Sequence, residues 1–232
     1  MDGRNRDYSG FAIVVGVIIV PRFFRWPYNL ASLLARELER WSLISGQSIF
    51  PVSNLISFLT AGVLLVLVVG CWERKNIKEL GLSAPWFRSV LIAIGAWILF
   101  LLSSPILLSW GRLVGTLVTT NQVSQLPPFD LQMWRLTAPW FYTIIAADVI
   151  FEELVTRAYV IERLTGFMGS IWMAGAMSFL LSLSLHLPAR NLYEALLRAP
   201  LIVLLVATYM YSRSLIACVV FHFLVDANLM RL

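Results

Sequence analysis

The feature that most constrains this chain is a series of long apolar runs that recur along most of its length. A helix needs roughly 20 apolar residues to cross the hydrocarbon core of a bilayer. Since lipid offers the peptide backbone no hydrogen-bond partners, such runs must fold as helices. The sequence therefore predicts an all-α, polytopic transmembrane helix bundle with six to seven spans. The candidate runs are about 10–24, 52–72, 89–110, 137–163, 168–187, 196–212 and 214–230.

The composition supports a lipid environment. Hydrophobic residues make up 59% of the 232 residues and charged residues only 13%, whereas soluble domains carry roughly 25% charged residues. The net charge of +5 comes from Lys and Arg residues that lie mostly between the apolar runs, where they contact anionic headgroups. We expect an integral membrane protein, with the lipid bilayer and not nucleic acid as its partner.

The chain is interpreted as one membrane domain with two parts. Residues 1–136 hold N-terminal membrane helices, an interfacial helix and loops. The interfacial helix is predicted over 27–45, where leucines alternate with charged residues at helical spacing. The stretch 111–135 has several Gly and Pro residues and is predicted to be an exposed loop. Pro105 predicts a kink in the run before it. Residues 137–232 form the core that carries the polar residues discussed next.

Ionisable residues inside a membrane helix cost at least roughly 2.5–3.5 kcal/mol each, so they need a reason to be there. The run 137–163 contains Asp148, Glu152, Glu153 and Arg157. Glu153 and Arg157 are four residues apart and can form an ion pair on one helix face. Asp148 and Glu152 share another face at the same spacing, where two carboxylates can exchange a proton with a reactant.

Both histidines of the chain also lie at apolar runs. His186 closes the run 168–187, and His222 lies inside the last run with Asp226 one turn later. The His222–Asp226 spacing allows a hydrogen bond that fixes the imidazole tautomer. Three separate helices therefore bring polar groups into the membrane, and we expect these groups to meet in one site.

These residues resemble the motifs of the CAAX protease and bacteriocin-processing enzyme family of intramembrane proteases. That family carries Glu-Glu-x-x-x-Arg, Phe-x-x-x-His and His-x-x-x-Asn/Asp motifs on three core helices. The likeness covers about 137–230 well and the rest of the chain loosely. The matching residues are Glu152, Glu153 and Arg157, then His186, then His222 and Asp226.

The chain departs from the family pattern at four positions. Ser182 stands at the aromatic position of the second motif, and Thr156 stands where an aromatic residue often precedes the arginine. Ala158 replaces a glycine that usually follows that arginine, and Asp226 ends the third motif in place of asparagine. The polar positions of the motifs remain filled, so the departures bear on activity more than on fold.

The resemblance implies a peptidase that acts on a membrane-associated peptide or protein. Glu152 is expected to act as the general base on a water molecule, assisted by His186. Glu153 is expected to position groups through its ion pair with Arg157. Such a reaction needs an activated water and a stabilised oxyanion.

His222, with Asp226, is expected to stabilise the oxyanion, and this reaction needs no cofactor. The residue types leave a metalloenzyme open as an alternative. In that reading Glu152, His186 and His222 bind zinc or another divalent metal as a three-ligand catalytic set.

Two further hypotheses belong to other functional classes. The chain can be a non-proteolytic membrane subunit or scaffold that keeps the family fold within a larger membrane protein complex, which the departures at the aromatic and glycine positions motivate. A small transporter with Asp148 and Glu152 as a proton relay is the other hypothesis. The sequence lacks the two related halves with broken helices that many transporters show.

Overall fold

A computed structural model describes residues 3–23, 26–43, 45–46, 49–117, 138–186 and 192–229. Within these ranges the secondary structure is entirely helical and contains no strand. The all-α class predicted from the apolar runs is therefore confirmed. The helices are α1 (Gly3–Val14), α2 (Val20–Phe23), α3 (Trp26–Arg40), α4 (Ile49–Leu67), α5 (Trp86–Leu102), α6 (Ser104–Leu117), α7 (Ala138–Glu153), α8 (Val160–Met168), α9 (Ile171–His186), α10 (Leu192–Ser212) and α11 (Leu215–Leu229).

Short segments of other helix types connect some of these elements. π-Helical turns span Val15–Ile19 between α1 and α2, Val68–Trp72 after α4, and Leu154–Tyr159 between α7 and α8. A 3₁₀ turn spans Ile77–Glu79 in the charged stretch before α5. The π-turn after α7 lies within the predicted motif region and shapes the site described below.

The chain divides into two compact units. One unit comprises Met1–Ile77 and Gln132–Phe151, and the other comprises Lys78–Leu131 and Glu152–Leu232. All the motif residues named above lie in the second unit. The division into 1–136 and 137–232 rests on motif content and stays a prediction.

In the first unit, α3 packs against α4. The small residues Ala31 and Ala35 are buried on α3, which allows close approach of the two backbones. The leucines of α3 point outward, with exposed fractions of 68%, 61% and 50% at Leu30, Leu33 and Leu34. An outward leucine face beside charged residues is the pattern of a helix that lies in the membrane interface, and that location stays a prediction.

The second unit is held by packing among α5, α10 and α11 and among α8, α9 and α10. Phe100 of α5 meets Phe221 of α11 edge to face, with ring centroids 6.3 Å apart. A buried hydroxyl pair joins the same two regions, because Ser214 Oγ donates to Ser89 Oγ at 2.7 Å. These contacts fix α11, which carries the third motif, within the unit.

Among the described residues, two helices are long and apolar enough to cross a membrane, namely Ile49–Trp72 and Ala195–Ser212. The bent pair Trp86–Leu102 and Ser104–Thr116 makes a third if it is one span. Only 17% of the apolar window in Ile49–Trp72 is buried inside the protein, so most of that helix faces outward and requires lipid. The protein is an integral membrane protein. The count of six to seven spans is not confirmed, since the other apolar helices of the described residues are shorter.

The predicted kink near Pro105 is present, and the predicted loop that follows is partly wrong. The chain bends by 59° between α5 and α6 at Ser103, two residues before the proline that cannot donate a backbone hydrogen bond. Helix α6 then continues to Leu117 through Gly111 and Gly115. In lipid the backbone must bond internally, which favours helix even at glycine. The remainder of the predicted loop, 118–135, lies outside the described residues.

Gly81 is a backbone contact point within the second unit. Its φ of +76° lies in the left-handed region, and its carbonyl accepts a hydrogen bond from Leu215 N at 3.0 Å. A Cβ at this position would lie 2.8 Å from Leu215 N and 3.1 Å from Arg213 O. Only glycine fits both the backbone conformation and this close approach.

We predict that Gly81→Ala destabilises the protein by about 1–3 kcal/mol, since it adds a left-handed alanine and a steric clash with the α11 backbone. Thermal unfolding in detergent measures the loss. Gly95→Ala is the matched control, because a Cβ there meets nothing within 4 Å and alanine favours a helix. Equal unfolding temperatures for the two variants would contradict the prediction.

Candidate active site

The π-turn Leu154–Tyr159 determines how Arg157 meets the two glutamates before it. An α-helix aligns residue i with i+4, whereas a π-turn aligns it with i+5. Arg157 Nε lies 3.3 Å from Glu153 Oε2, and Arg157 Nη1 lies 3.4 Å from Glu152 Oε1. The predicted Glu153–Arg157 pair is therefore observed. The widened turn adds Glu152, which an α-helical spacing would place on another face.

The guanidinium of Arg157 is fully buried and is surrounded by hydroxyl groups as well as carboxylates. Its Nη1 donates to Ser182 Oγ of α9 at 3.0 Å and to the adjacent Thr156 Oγ1. The Thr156 hydroxyl in turn donates to the Glu152 carbonyl at 2.7 Å. A second α9 serine, Ser178, donates to the Thr156 carbonyl at 2.6 Å. Helix α9 thus holds the π-turn through two buried hydroxyls.

His222 joins α11 to the same cluster. Its Nδ1 lies 2.8 Å from Glu153 Oε1, and its Nε2 lies 3.5 Å from Asp226 Oδ2. The second contact is longer than an ordinary N–H···O hydrogen bond. The predicted same-face arrangement of His222 and Asp226 is present. The shorter contact with Glu153 was not predicted, because it joins residues 69 positions apart.

The remaining pair of motif residues is the most accessible part of the site. His186 Nε2, at the end of α9, lies 3.9 Å from Glu152 Oε1. The side chains of His186 and Glu152 are 16% and 15% exposed, whereas those of Glu153 and Arg157 have no exposed area. The two adjacent glutamates therefore have different environments. Glu152 can meet a reactant, and Glu153 faces only protein.

This arrangement can activate a water molecule beside a carboxylate and an imidazole. The three residues of the metal alternative have different neighbours in the structure. His222 is directed at Glu153 and Asp226, while His186 is next to Glu152. Among the described residues, no three His, Cys, Asp or Glu side chains are grouped so that they could hold a metal ion.

Three polar residues contribute to the site although the motif analysis gave them no role in it: Thr156, Ser178 and Ser182. The available signal was their position, since Ser178 and Ser182 lie one turn apart in an apolar helix, and Ser182 lies one turn before His186. A buried serine in a membrane helix needs a hydrogen-bond partner. Sequence alone does not show that Ser182 bonds to Arg157 and that Ser178 bonds to the Thr156 carbonyl.

A second polar cluster lies in the same unit and does not include the motif residues. Glu162 Oε1 accepts hydrogen bonds from Tyr209 Oη at 2.9 Å and from Arg213 Nη1 at 2.7 Å. The Arg213 side chain is 44% exposed, so solvent or headgroups screen this pair. Glu162 thus ties α8 to the end of α10, and the cluster provides a comparison for the buried one.

We predict that Arg157→Ala lowers the free energy of unfolding by about 3–5 kcal/mol, because it leaves Glu153 buried without its cation. Arg213→Ala is the control, since it removes an arginine from a partly exposed pair that contributes about 0–1 kcal/mol. Both variants are heated in detergent, and the fraction that remains folded is followed by size-exclusion chromatography. Equal stability of Arg157→Ala and the wild type would show that Glu153 is neutral or hydrated.

Comparison with known proteins places the site within a recognised domain. Residues 134–228 match the family model described as type II CAAX prenyl endopeptidase Rce1-like. No curated protein and no solved structure matches the chain. The matched segment contains every residue of the site described above, in the motif order expected from the sequence. The family model and the motif resemblance therefore point to the same part of the chain, residues 134–228.

Proposed function

We propose that the protein is an intramembrane endopeptidase in which Glu152 activates the water that attacks a peptide bond. The observation that carries this proposal is the Glu152–His186 pair, 3.9 Å apart and partly exposed at the edge of an otherwise buried polar cluster. Hydrogen bonds of about 2.8 Å can join one water to two atoms up to about 5.6 Å apart. A single water can therefore contact both side chains.

The reaction follows from the properties of these groups. Glu152 takes a proton from the water as the water oxygen attacks the carbonyl carbon, which gives a tetrahedral oxyanion. The intermediate then collapses, the C–N bond breaks, and the proton passes to the leaving amine. His186 orients the water by a hydrogen bond and assists Glu152 in removing the proton of that water. The second proton of the water also ends on the amine, so the products are a carboxylate and a protonated amine, and the Glu152 base is regenerated.

His222 is the group proposed to stabilise the oxyanion. Its Nδ1 is held by Glu153 at 2.8 Å, which fixes the ring. Its Nε2 has only the longer contact with Asp226, so an N–H at that atom can turn its hydrogen bond toward a developing negative charge. Glu153 and Arg157 then serve to hold the ring and the π-turn in place.

The proposed substrate is a membrane-associated peptide or protein cleaved near one terminus. The description of the matching family as a CAAX prenyl endopeptidase favours this class. The reaction as proposed uses only protein side chains and needs no cofactor. The protein is further proposed to act in a prokaryotic cytoplasmic membrane, with additional spans among the shorter apolar helices.

The second candidate is a non-proteolytic subunit or scaffold of a membrane protein complex. The specific observation in its favour is the loss of two aromatic motif positions and one glycine, at Ser182, Thr156 and Ala158. All three residues are buried in the structure. The two candidates differ in whether the site reacts, which the following experiment decides.

We predict that Glu152→Gln abolishes cleavage while the protein still folds and inserts, since the amide cannot accept the proton of water. Purified wild type and variant are incubated with a mixed library of lipidated and unlipidated membrane peptides, and products are identified by mass spectrometry. Glu162→Gln is the control, because Glu162 lies outside the site. Cleavage by Glu152→Gln at the wild-type rate would disprove the glutamate mechanism.

The same assay with a strong chelator separates the proposed reaction from the metal alternative. We expect no effect of the chelator. Loss of wild-type cleavage with the chelator, restored by added zinc, would assign the reaction to a metalloenzyme. No cleavage of any peptide by the wild type would favour the scaffold, and proteins that copurify with the chain would then be identified.

We also predict that Asp226→Asn keeps kcat within about 10-fold of the wild type, a change of about 1.4 kcal/mol in the barrier. The asparagine can still contact His222 Nε2 through its side-chain oxygen, and its N–H₂ group adds a donor. Asp226→Leu keeps a similar size, lacks both functions, and is expected to lose more. Complete inactivation of Asp226→Asn would show that the carboxylate charge itself orients His222.

A further inference from the structure

The two hydroxyl residues that replace family aromatics contact the same atom. Thr156 Oγ1 and Ser182 Oγ both accept hydrogen bonds from Arg157 Nη1. They come from different elements, the π-turn and α9, and both residues are buried. Two departures from the family pattern thus meet at one nitrogen of Arg157.

The number of hydrogens on Arg157 Nη1 limits what this atom can bind. A guanidinium terminal nitrogen carries two hydrogens. Three acceptors lie within reach of this nitrogen. Glu152 Oε1 is 3.4 Å away, Ser182 Oγ is 3.0 Å away, and Thr156 Oγ1 is closer than either. The hydroxyls therefore take the shorter hydrogen bonds, and Glu152 keeps only a long one, at 3.4 Å.

The alternative arrangement would interfere with the proposed reaction. Arginine and carboxylate groups form strong, often bidentate, ion pairs when no other acceptor competes. A Glu152 carboxylate locked in such a pair would present fewer lone pairs to water and would be a weaker base. The two hydroxyls hold Arg157 near the carboxylates of the site. They also keep it from pairing closely with Glu152, whose oxygens can then contact water.

We propose that Thr156 and Ser182 are positioning residues that hold Arg157 Nη1 and so keep Glu152 free to bind its water. This inference rests on the proposed function for its consequence in catalysis. The part that concerns structure is the competition between the two hydroxyls and Glu152 for Arg157, and this part does not depend on catalysis. The experiment therefore uses one measurement for each part.

Ser182→Ala is the main variant, and Ser178→Ala is its matched control. Both serines are fully buried on α9, and both substitutions remove one hydroxyl without adding volume. The Ser178 hydroxyl bonds to a backbone carbonyl, whereas the Ser182 hydroxyl bonds to Arg157. A merely structural role for Ser182 would give the two variants the same behaviour. Ser182→Thr, which retains the hydroxyl, serves as the conservative variant.

The first measurement needs no substrate. A hydrophobic carbodiimide labels accessible carboxyl groups within membranes, and mass spectrometry gives the labelling rate at Glu152. We expect labelling at least several-fold slower in Ser182→Ala than in the wild type, because Arg157 then pairs with Glu152. Ser182→Thr is expected to label close to the wild-type rate, and Ser178→Ala, which removes a hydroxyl that bonds the π-turn backbone, is expected to slow labelling much less than Ser182→Ala. Equal or faster labelling in Ser182→Ala would overturn the proposal.

The second measurement uses the library peptide that the wild type cleaves fastest. We expect kcat to fall about 10-fold to 100-fold in Ser182→Ala, as for loss of a charged hydrogen bond, with KM little changed and with recovery in Ser182→Thr. Thr156→Val with Ser182→Ala is expected to be non-additive, since both act through one nitrogen. An unchanged kcat in Ser182→Ala, or an equal loss in Ser178→Ala, would overturn the positioning role.

Failure of the proposed protease function and failure of the positioning role give different results. If the wild type cleaves no peptide, the proposed protease function fails, and the labelling rates still decide whether the hydroxyls control the Arg157–Glu152 contact. If the wild type cleaves and the Ser182 variants behave like the Ser178 control, the protease function stands and the positioning role is wrong.

Discussion

The buried charge of Arg157 is the constraint on which the rest of the site depends. A guanidinium with no exposed area inside a membrane protein requires partners for its charge and its hydrogens. The π-turn and α9 supply hydroxyl acceptors to Nη1, and Glu153 supplies an opposite charge 3.3 Å from Nε, while Nε and Nη2 themselves make no hydrogen bond within the described residues. Glu153, equally buried, then needs both Arg157 and His222. The three core helices are thus joined through one polar network. Apolar faces alone would not fix the position of each helix along its neighbours.

The sequence predicted those parts of the network that depend on spacing along one helix. The Glu153–Arg157 and His222–Asp226 pairs are both observed at four-residue spacing. The Glu152–Arg157 contact was missed because it requires a π-turn, and five-residue alignment does not follow from any residue pattern in 154–159. The Glu153–His222 contact was also missed, because it depends on how two distant helices pack.

Other differences between prediction and structure have the same origin in nonlocal packing. Gly111 and Gly115 indicated a loop by their local propensity, but α6 continues through both. Gly81 makes a contact with a backbone more than 130 residues later in the chain, which no local sequence pattern indicates. Apolar runs predict helices well, because lipid permits little else. Their lengths do not predict where a helix bends or how many of them cross the membrane.

Two adjacent glutamates in this site have separate physical roles because the helix changes type immediately after them. Glu153 faces inward to Arg157 and His222 and contributes to folding, since its charge has no access to water. Glu152 lies at the accessible edge with His186, and only a long contact ties it to the arginine. A regular α-helix would direct Arg157 to Glu153 alone and leave Glu152 without a nearby cation. The π-turn thus brings the positive charge of Arg157 within 3.4 Å of Glu152 and still leaves that carboxylate at the accessible edge beside His186.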